Sequence, residues 1–588
     1  MKKSTFYFAL FFLGFLNAQT VSTNAALYTA ITNAVAGTTI TLANGTWSNV
    51  QINIQKTGTL TNPITIQAQT PGSVFFEGNC YVKMGGAFII FKGVVFQNPP
   101  VSPSTIDTSN ALIDFRSSSD CNNCTVTNIK IDSYNALGKE TEVYKWLLLR
   151  GANNEISFST FIGKNGVGSI INDNRSSNIA NYHKIHHNYF ANRTPVGEVN
   201  ILNDQDAIRI GNSSTSLSDS FTEVYNNYFY NFSGEIEVIS NKSGANKYYN
   251  NTFEDYQGAL TLRHGNNCEV YNNFFLANGK PFSGGVRVMG ENHKIYNNYI
   301  EGVRSRKTDN SLSNGTGGIN IANGKTDGVL SGYLPVKNTI IINNTLVNCD
   351  YGIRVGTKFD TSQSVAPNNV VIGNNIIFLD ASIPNASSNR AIQIVTQLTG
   401  ASSKYENNIK QSGIWDSFGT VTNTGNINVT SGLLASVTNF YNLVVGSAAI
   451  NYGLGNYPFL TEDIFGGTRT ANFDAGAEEF GAGGTKRPYK QSDVGITVGF
   501  VGSPALTVNE TILKQKKLHM YPVPVKGAIL NISLEGQKIG AIKIIDVLGR
   551  TVLDGNLENS KEEINIENLS KGTYFLKVEG ISKMFIKN

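Results

Sequence analysis

Tyr225-Asn226-Asn227-Tyr228, Tyr249-Asn250-Asn251-Thr252, Tyr271-Asn272-Asn273-Phe274 and Tyr296-Asn297-Asn298-Tyr299 repeat one short motif, and their spacing decides the fold. The second asparagines follow one another at 24, 22 and 25 positions, a period in the range of solenoid coils. The motif starts at His187-Asn188-Tyr189-Phe190 and continues at Ile342-Asn343-Asn344-Thr345 and Gly373-Asn374-Asn375-Ile376. Between these marks lie short apolar runs, such as Ala207-Ile208-Arg209-Ile210 and Ile340-Ile341-Ile342, which suit strands buried inside a coil. Asparagine at one corner of successive coils tolerates the left-handed turn conformation and stacks into a ladder, so its role is structural. The fold expected is all-β: a right-handed parallel β-helix followed by a small C-terminal β-sandwich.

The bulk properties agree. The chain has 588 residues, beyond the roughly 250–300 at which single compact cores stop growing, so it is an elongated repeat or several domains. Hydrophobic content of 40% and charged content of 15% exclude a disordered chain, and 58 glycines with few methionines point to turn-rich β structure. A formal net charge of +4 does not announce nucleic acid or a membrane surface, so any polyanion must be met locally. Lys2-Lys3, the apolar run Phe6 to Leu16 and Asn17-Ala18-Gln19 have the zones of a secretory signal, expected as residues 1–18. Its 11 apolar residues are too few for a bilayer core that needs about 20, and no later segment is apolar enough, so no membrane span is expected after signal removal.

Five cysteines are too few for a disulfide scaffold, and Cys121-x-x-Cys124 stands without a second pair or a nearby histidine. A loop disulfide or two thiols is the expectation there, not zinc. The β-helix is expected over residues 19–480, a linker over 481–516 beginning at Gly481-Ala482-Gly483-Gly484-Thr485, and a strand-and-turn unit over 517–588.

One cluster carries chemistry. Glu235-Ile236-Glu237 sits on a predicted strand, which places both carboxylates on one face and Ile236 on the other. Two like charges that close call for a cation, and calcium suits hard oxygen ligands in irregular coordination. An isolated Glu-x-Glu is more often a solvated face, so the pair alone assigns nothing.

The surrounding stretches add a resemblance. Asn203-Asp204-Gln205-Asp206-Ala207-Ile208-Arg209-Ile210-Gly211, Gly234 to Ser243 and Leu262-Arg263-His264-Gly265 resemble polysaccharide lyase family six, which contains chondroitinase B and alginate lyases. The turn-rich N-terminal coils resemble chondroitinase-B-like lyases as well. The resemblance implies Asn203, Glu235 and Glu237 as Ca2+ ligands, Lys242 as the base and Arg263 as acid or charge stabiliser. It further implies substrate contacts at His264 and at Asp206, which stands where the family has Glu. Strict strand alternation points His264 inward instead, as a core histidine. Arg287 falls 24 positions beyond Arg263, one coil along the same face, where it could pair bidentately with a uronate carboxylate. Arg304, Arg306 and Lys307 read as a solvated loop.

Such a lyase removes the C5 proton of a uronic acid with a neutral lysine and expels the C4 oxygen, and cations nearby lower the lysine pKa toward the working range. A guanidinium hardly releases its proton, so Arg263 is the stabiliser, and water or a tyrosine protonates the leaving oxygen. Alginate is the expected substrate. Dermatan sulfate is the alternative within the family, and a glycan-binding β-helix without catalysis is the alternative outside it. Met520-Tyr521-Pro522-Val523-Pro524, Ile544 to Arg550, Leu569 to Phe575 and the terminal Lys583 to Lys587 resemble the sorting domain of type IX secretion substrates. That implies a partner in the type IX secretion machinery and a secreted or cell-surface protein.

Overall fold

A computed structural model describes residues 18–100, 111–135, 137–380, 389–437, 440–499, 518–534, 538–546, 550–578 and 581–588. The expected signal lies outside them except for Ala18, which opens the first strand, Ala18–Val21. Residues 500–516 of the expected linker lie outside them too. Among the described residues no helix is long and apolar enough to cross a membrane.

Three parallel sheets of 15, 14 and 14 strands run the length of the solenoid. One coil shows the logic. Gly258–His264 lies in the second sheet, Glu269–Tyr271 in the first and Phe274–Leu276 in the third, and Ser283–Val288 starts the next coil beside Gly258–His264. The two asparagines of each motif make the bend between the first and third sheets and divide the work. The first adopts the left-handed conformation, with φ of 56° at Asn226, 54° at Asn250, 55° at Asn272 and 52° at Asn297, a region asparagine enters more readily than other side chains. The second turns inward: Asn227, Asn251, Asn273, Asn298 and Asn344 are buried and hydrogen-bonded one to the next. Phe190, Phe229, Phe253 and Phe275 stack beside them with ring centres 4.5–4.7 Å apart. The helix Asn24–Asn33, capped by Thr23, lays Leu27, Ala30 and Ile31 over the first coil and closes its apolar end.

The coils end at Ile427–Val429, not near Phe480. After the hairpin Leu434–Val437 and Phe440–Leu443, the chain runs back along the solenoid. Asn407 donates to the Tyr452 carbonyl, Asn374 to Leu454, and Asn343 to Asp474 and Gly476, while Asn297 and Asn272 reach Glu462. The expected linker is corrected over residues 481–499, which continue this strap. The Tyr489 amide donates to Thr252 Oγ1 at 2.8 Å, Gly495 to the His187 carbonyl at 2.7 Å and Ile496 to Thr160 Oγ1 at 3.1 Å. Val494 is buried against Tyr189, Ala191 and Tyr228. Glycine-rich composition signals a linker only where no apolar side chain finds a partner, and here Val494 does.

Cys121 and Cys124 form a disulfide, while Cys80, Cys268 and Cys349 are buried thiols. The chain divides into two compact units after Gly502. The second has antiparallel sheets of three and four strands around Leu530, Ile532, Ile544, Leu576 and Phe585, as expected of a small sandwich.

Candidate active site

Strands Ile208–Ile210, Glu237–Lys242, Gly258–His264 and Ser283–Val288 lie side by side in the second sheet. A groove of about 380 Å³ opens on their outer face, lined by Asn203, Arg209, Glu235, Glu237, Lys242, Arg263, Arg287, Tyr333 and Phe359. Six residues expected to share a site, Asn203, Glu235, Glu237, Lys242, Arg263 and Arg287, are therefore brought together.

Alternation does not hold at the acidic pair. Glu235 lies in a bend before the strand, which begins at Glu237, and the register with the next coil slips between Glu237 and Ile239. Ile236 consequently faces the groove with both carboxylates and does not turn inward. A second slip between Asn241 and Lys242 sets Lys242 opposite His264. Bulges of this kind re-aim side chains and gather next to active sites. Gly265, at φ 86°, ends the neighbouring strand where a Cβ would stand 2.2 Å from the Ser243 carbonyl oxygen.

The electrostatics are those of a crowded, half-dry cleft. Glu235 is pushed up to about 8, first by burial and then by the charges of Asp206 and Glu237, with the Gln205 amide, which donates to its Oε1 at 2.9 Å, pulling the other way. Lys242 is held below the ordinary lysine range by burial first and Arg209 next, with Arg263 adding; Glu237 and Asp206 oppose. Arg263 depresses it as expected, but Arg209, which the sequence reading passed over, outweighs Arg263. Arg209 pairs with Asp204 at 2.5 Å and Asp206 at 2.8 Å and stands 3.9 Å from Glu235. Its outward aim was legible, because it sits between the buried Ile208 and Ile210.

Two expected substrate contacts are corrected. Asp206 is 0% exposed and accepts from Arg209 Nε and Nη2 at 2.9 and 2.8 Å, so it braces that arginine beneath the groove. His264 is 1% exposed and sits behind Arg263, not in the core: its Nε2 lies 2.9 Å from Arg263 Nη1 and its Nδ1 3.2 Å from Ser213 Oγ. Burial and the Arg263 charge push it down to about 4, so it is a neutral ring that orients the guanidinium. Arg287 is also buried, 3.4 Å from Glu237 and 4.3 Å over the Phe359 ring, so its charge already has a partner.

Two aromatic residues had no signal in the repeat. Tyr333 and Phe359, from loops outside the periodic strands, stack with centres 5.3 Å apart and wall the groove. Arg263 lies 4.4 Å over Tyr333 and donates to the Gly332 and Ser331 carbonyls at 2.5 and 3.2 Å.

Asn203, Glu235 and Glu237 offer the groove a set of oxygen donors, and the carboxylates are held against each other's charge. Oxygen-only donors fit calcium or another hard cation and do not fit zinc.

Residues 21–444 match the family model described as chondroitinase B, and residues 519–588 match the secretion system C-terminal sorting domain. Among solved structures, the PL6 family alginate lyase AlyGC is 32% identical, with TM-score 0.62 over 70% of this chain and 53% of that one. A mutant of the same enzyme is 28% identical, with TM-score 0.66 over 81% of this chain and 58% of that one. The chain thus spans little more than half the length of these two structures. A mannuronic acid specific family 6 lyase from human gut microbiota, 24% identical with TM-score 0.58 over 71% of this chain and 92% of that one, shares the fold. No curated protein sequence matches the chain. The match to the family model covers every groove-lining residue, and the chain belongs to the chondroitinase B family.

Proposed function

We propose that the protein is an exported polysaccharide lyase that cleaves alginate by calcium-assisted β-elimination, leaving unsaturated oligouronates. The observation that carries this reading is Lys242: a half-buried amine, crowded by arginines, in one groove with a carboxylate pair and Arg263. Such an amine is neutral for more of the time than a free lysine and serves as a base. Its lone pair takes the C5 proton, the C5–H electrons become the C4–C5 double bond, and the C4–O bond breaks. Arg263, held by His264 and the two loop carbonyls, stabilises the charge that develops on the uronate carboxylate. Asn203, Glu235 and Glu237 would hold the calcium, which when bound supplies positive charge to that same carboxylate.

The leaving oxygen needs a proton. Tyr333 is the tyrosine that lines the groove, beneath Arg263, and we assign the donor role to its phenol. Tyr333→Phe is expected to lower kcat by roughly a hundredfold with little change in KM; an unchanged kcat would give that proton to water. Alginate is preferred over dermatan sulfate because the groove arginines Arg209 and Arg287 are already paired with carboxylates, which leaves little free charge for sulfate. The family match of the C-terminal unit supports export through a type IX secretion system.

The test is ultraviolet absorbance of the new double bond on alginate, dermatan sulfate and pectate, with and without a chelator. A rise on alginate that the chelator removes is the expected result. No rise on any of the three ends the lyase reading, and a rise on dermatan sulfate alone moves the substrate.

A further inference from the structure

The corner that leads into nine successive first-sheet strands, from Thr125–Thr127 to Val371–Gly373, is a second left-handed position. Asn123, Asn153, Asn267, Asn292, Asn338 and Asn369 occupy it in six coils, each with φ between 49° and 60° and each two residues before its strand. Two neighbouring pairs among them join: Asn292 donates to Asn267 Oδ1 at 3.1 Å and Asn369 to Asn338 Oδ1 at 3.2 Å. Three successive coils depart from the rule: Ala245 (φ 56°) stands there in the last of them, and aromatic residues in the two before it. These are Tyr182 (φ 50°) and Phe221 (φ 53°), in a conformation that bulky side chains rarely adopt.

Neither ring is explained by packing. Tyr182 is 50% exposed and Phe221 41% exposed, and they stack on each other with centres 5.2 Å apart and an interplanar angle of 9°. Their loops are fastened together. The Asn181 and Tyr182 amides both donate to the Ser220 carbonyl, and the buried Arg175 guanidinium donates to the carbonyls of Ile179, Thr215 and Ser218. Ile179 and Leu217, on the same two loops, are 62% and 60% exposed. The fold thus bears two costs here, backbone strain and exposed apolar surface, that the Asn of six other coils avoids.

The same loop reaches the back of the catalytic groove. Ser213, eight residues before Phe221, contacts His264 behind Arg263, and eight residues span at most about 28 Å. We propose that the Tyr182–Phe221 pair is a distal sugar platform, on which the apolar face of a pyranose of the bound polysaccharide stacks while another part of the same chain occupies the groove. Rigid aromatic surface beside a polysaccharide groove offers contact at low entropic cost, and a ring stack fixed by paired loops loses little on binding. The inference rests on the polysaccharide lyase reading, and it adds that affinity grows with chain length.

The test installs what the fold itself uses at this corner. Tyr182→Asn together with Phe221→Asn, in the full chain, is expected to hold or raise Tm. KM for long alginate is expected to rise about five- to tenfold with kcat unchanged, while KM for a short oligosaccharide that fills only the groove stays as in the wild type. Equal KM for long alginate in variant and wild type overturns the platform, as does an equal rise on short and long substrates. Wild-type protein inactive on every polyuronate, long and short, removes the lyase reading and the platform with it, whereas an active wild type with length-independent KM removes the platform alone. Tyr182→Phe separates the ring from its hydroxyl: stacking predicts wild-type KM on long alginate, and a rise equal to that of the asparagine pair overturns it.

Discussion

Lys242→Ala is expected to lower kcat on alginate by about a thousandfold while the protein remains folded. The size follows from the role, since without the amine no other group placed over the substrate accepts the C5 proton. The folding expectation follows from the sign of the pKa shift. A lysine whose pKa falls on folding is less stable charged in the folded state than in the unfolded one, so at neutral pH its ammonium works against folding. Tm of the alanine variant should therefore stay level or rise, and a fall would mean that Lys242 supports the sheet. The same shift fixes the pH profile. kcat/KM of the wild type should climb with pH as the ammonium is lost, and the midpoint should lie below the ordinary lysine value of about 10.4. Lys242→Ala should abolish that limb, and retained activity with an unaltered limb would put the base elsewhere.

The second large effect is on stability. Asn273→Ala is expected to destabilise the β-helix by about 3–5 kcal/mol in urea denaturation, which is far above the typical cost of a surface change. Asn273 Nδ2 donates to the Tyr248 and Tyr271 carbonyls at 2.9 and 3.0 Å and to Asn298 Oδ1 at 3.0 Å. Its Oδ1 accepts from the Asn251 amide and the Asn251 Nδ2 at 3.0 and 3.1 Å. Alanine removes all of these hydrogen bonds in a dry interior; Asn298 Oδ1 keeps the residue-273 amide and Asn251 Nδ2 keeps the Val224 carbonyl, and each group left unpaired costs about 1–3 kcal/mol before relaxation. Asn272→Gly, one residue earlier, is the control. Glycine keeps the left-handed bend without strain, so only the outer hydrogen bond to Glu462 is lost. Equal losses in the two variants would show that the inner ladder is not what holds the coils.

The contrast between those two asparagines also marks what the sequence could convey. Their spacing announced the coil, and the corner was readable as a place for left-handed asparagine, yet the pattern alone did not say that one residue bends the chain while its neighbour stacks inside. At the groove, Asn203, Glu235, Glu237, Lys242 and Arg263 were legible through the resemblance of their stretches to polysaccharide lyase family six, and of these Glu237, Lys242 and Arg263 fall on strands of the second sheet. His264 was misplaced because a register slip sets it opposite Lys242, and a bulge leaves no mark in a list of residues; Asp206 was misplaced because it precedes the Ile208–Ile210 strand, where alternation gives no direction. Tyr333 and Phe359 were invisible because they come from loops outside the repeat. The strap over residues 481–499 was read as a linker because its attachment is mostly backbone to side chain, through Thr160 and Thr252, and amides have no sequence signature.

That strap bears on the order in which the molecule can be completed. A solenoid whose coils touch only their neighbours can lose them one at a time from an end. Here residues 452–496 bind coils from Thr160 to Asn407, so fraying at one end is resisted by attachments far along the stack. Those residues come after every coil they hold. While the chain is still emerging from N- to C-terminus, the coils can stack, but the fastening that makes them yield together is the last part of the first unit to arrive.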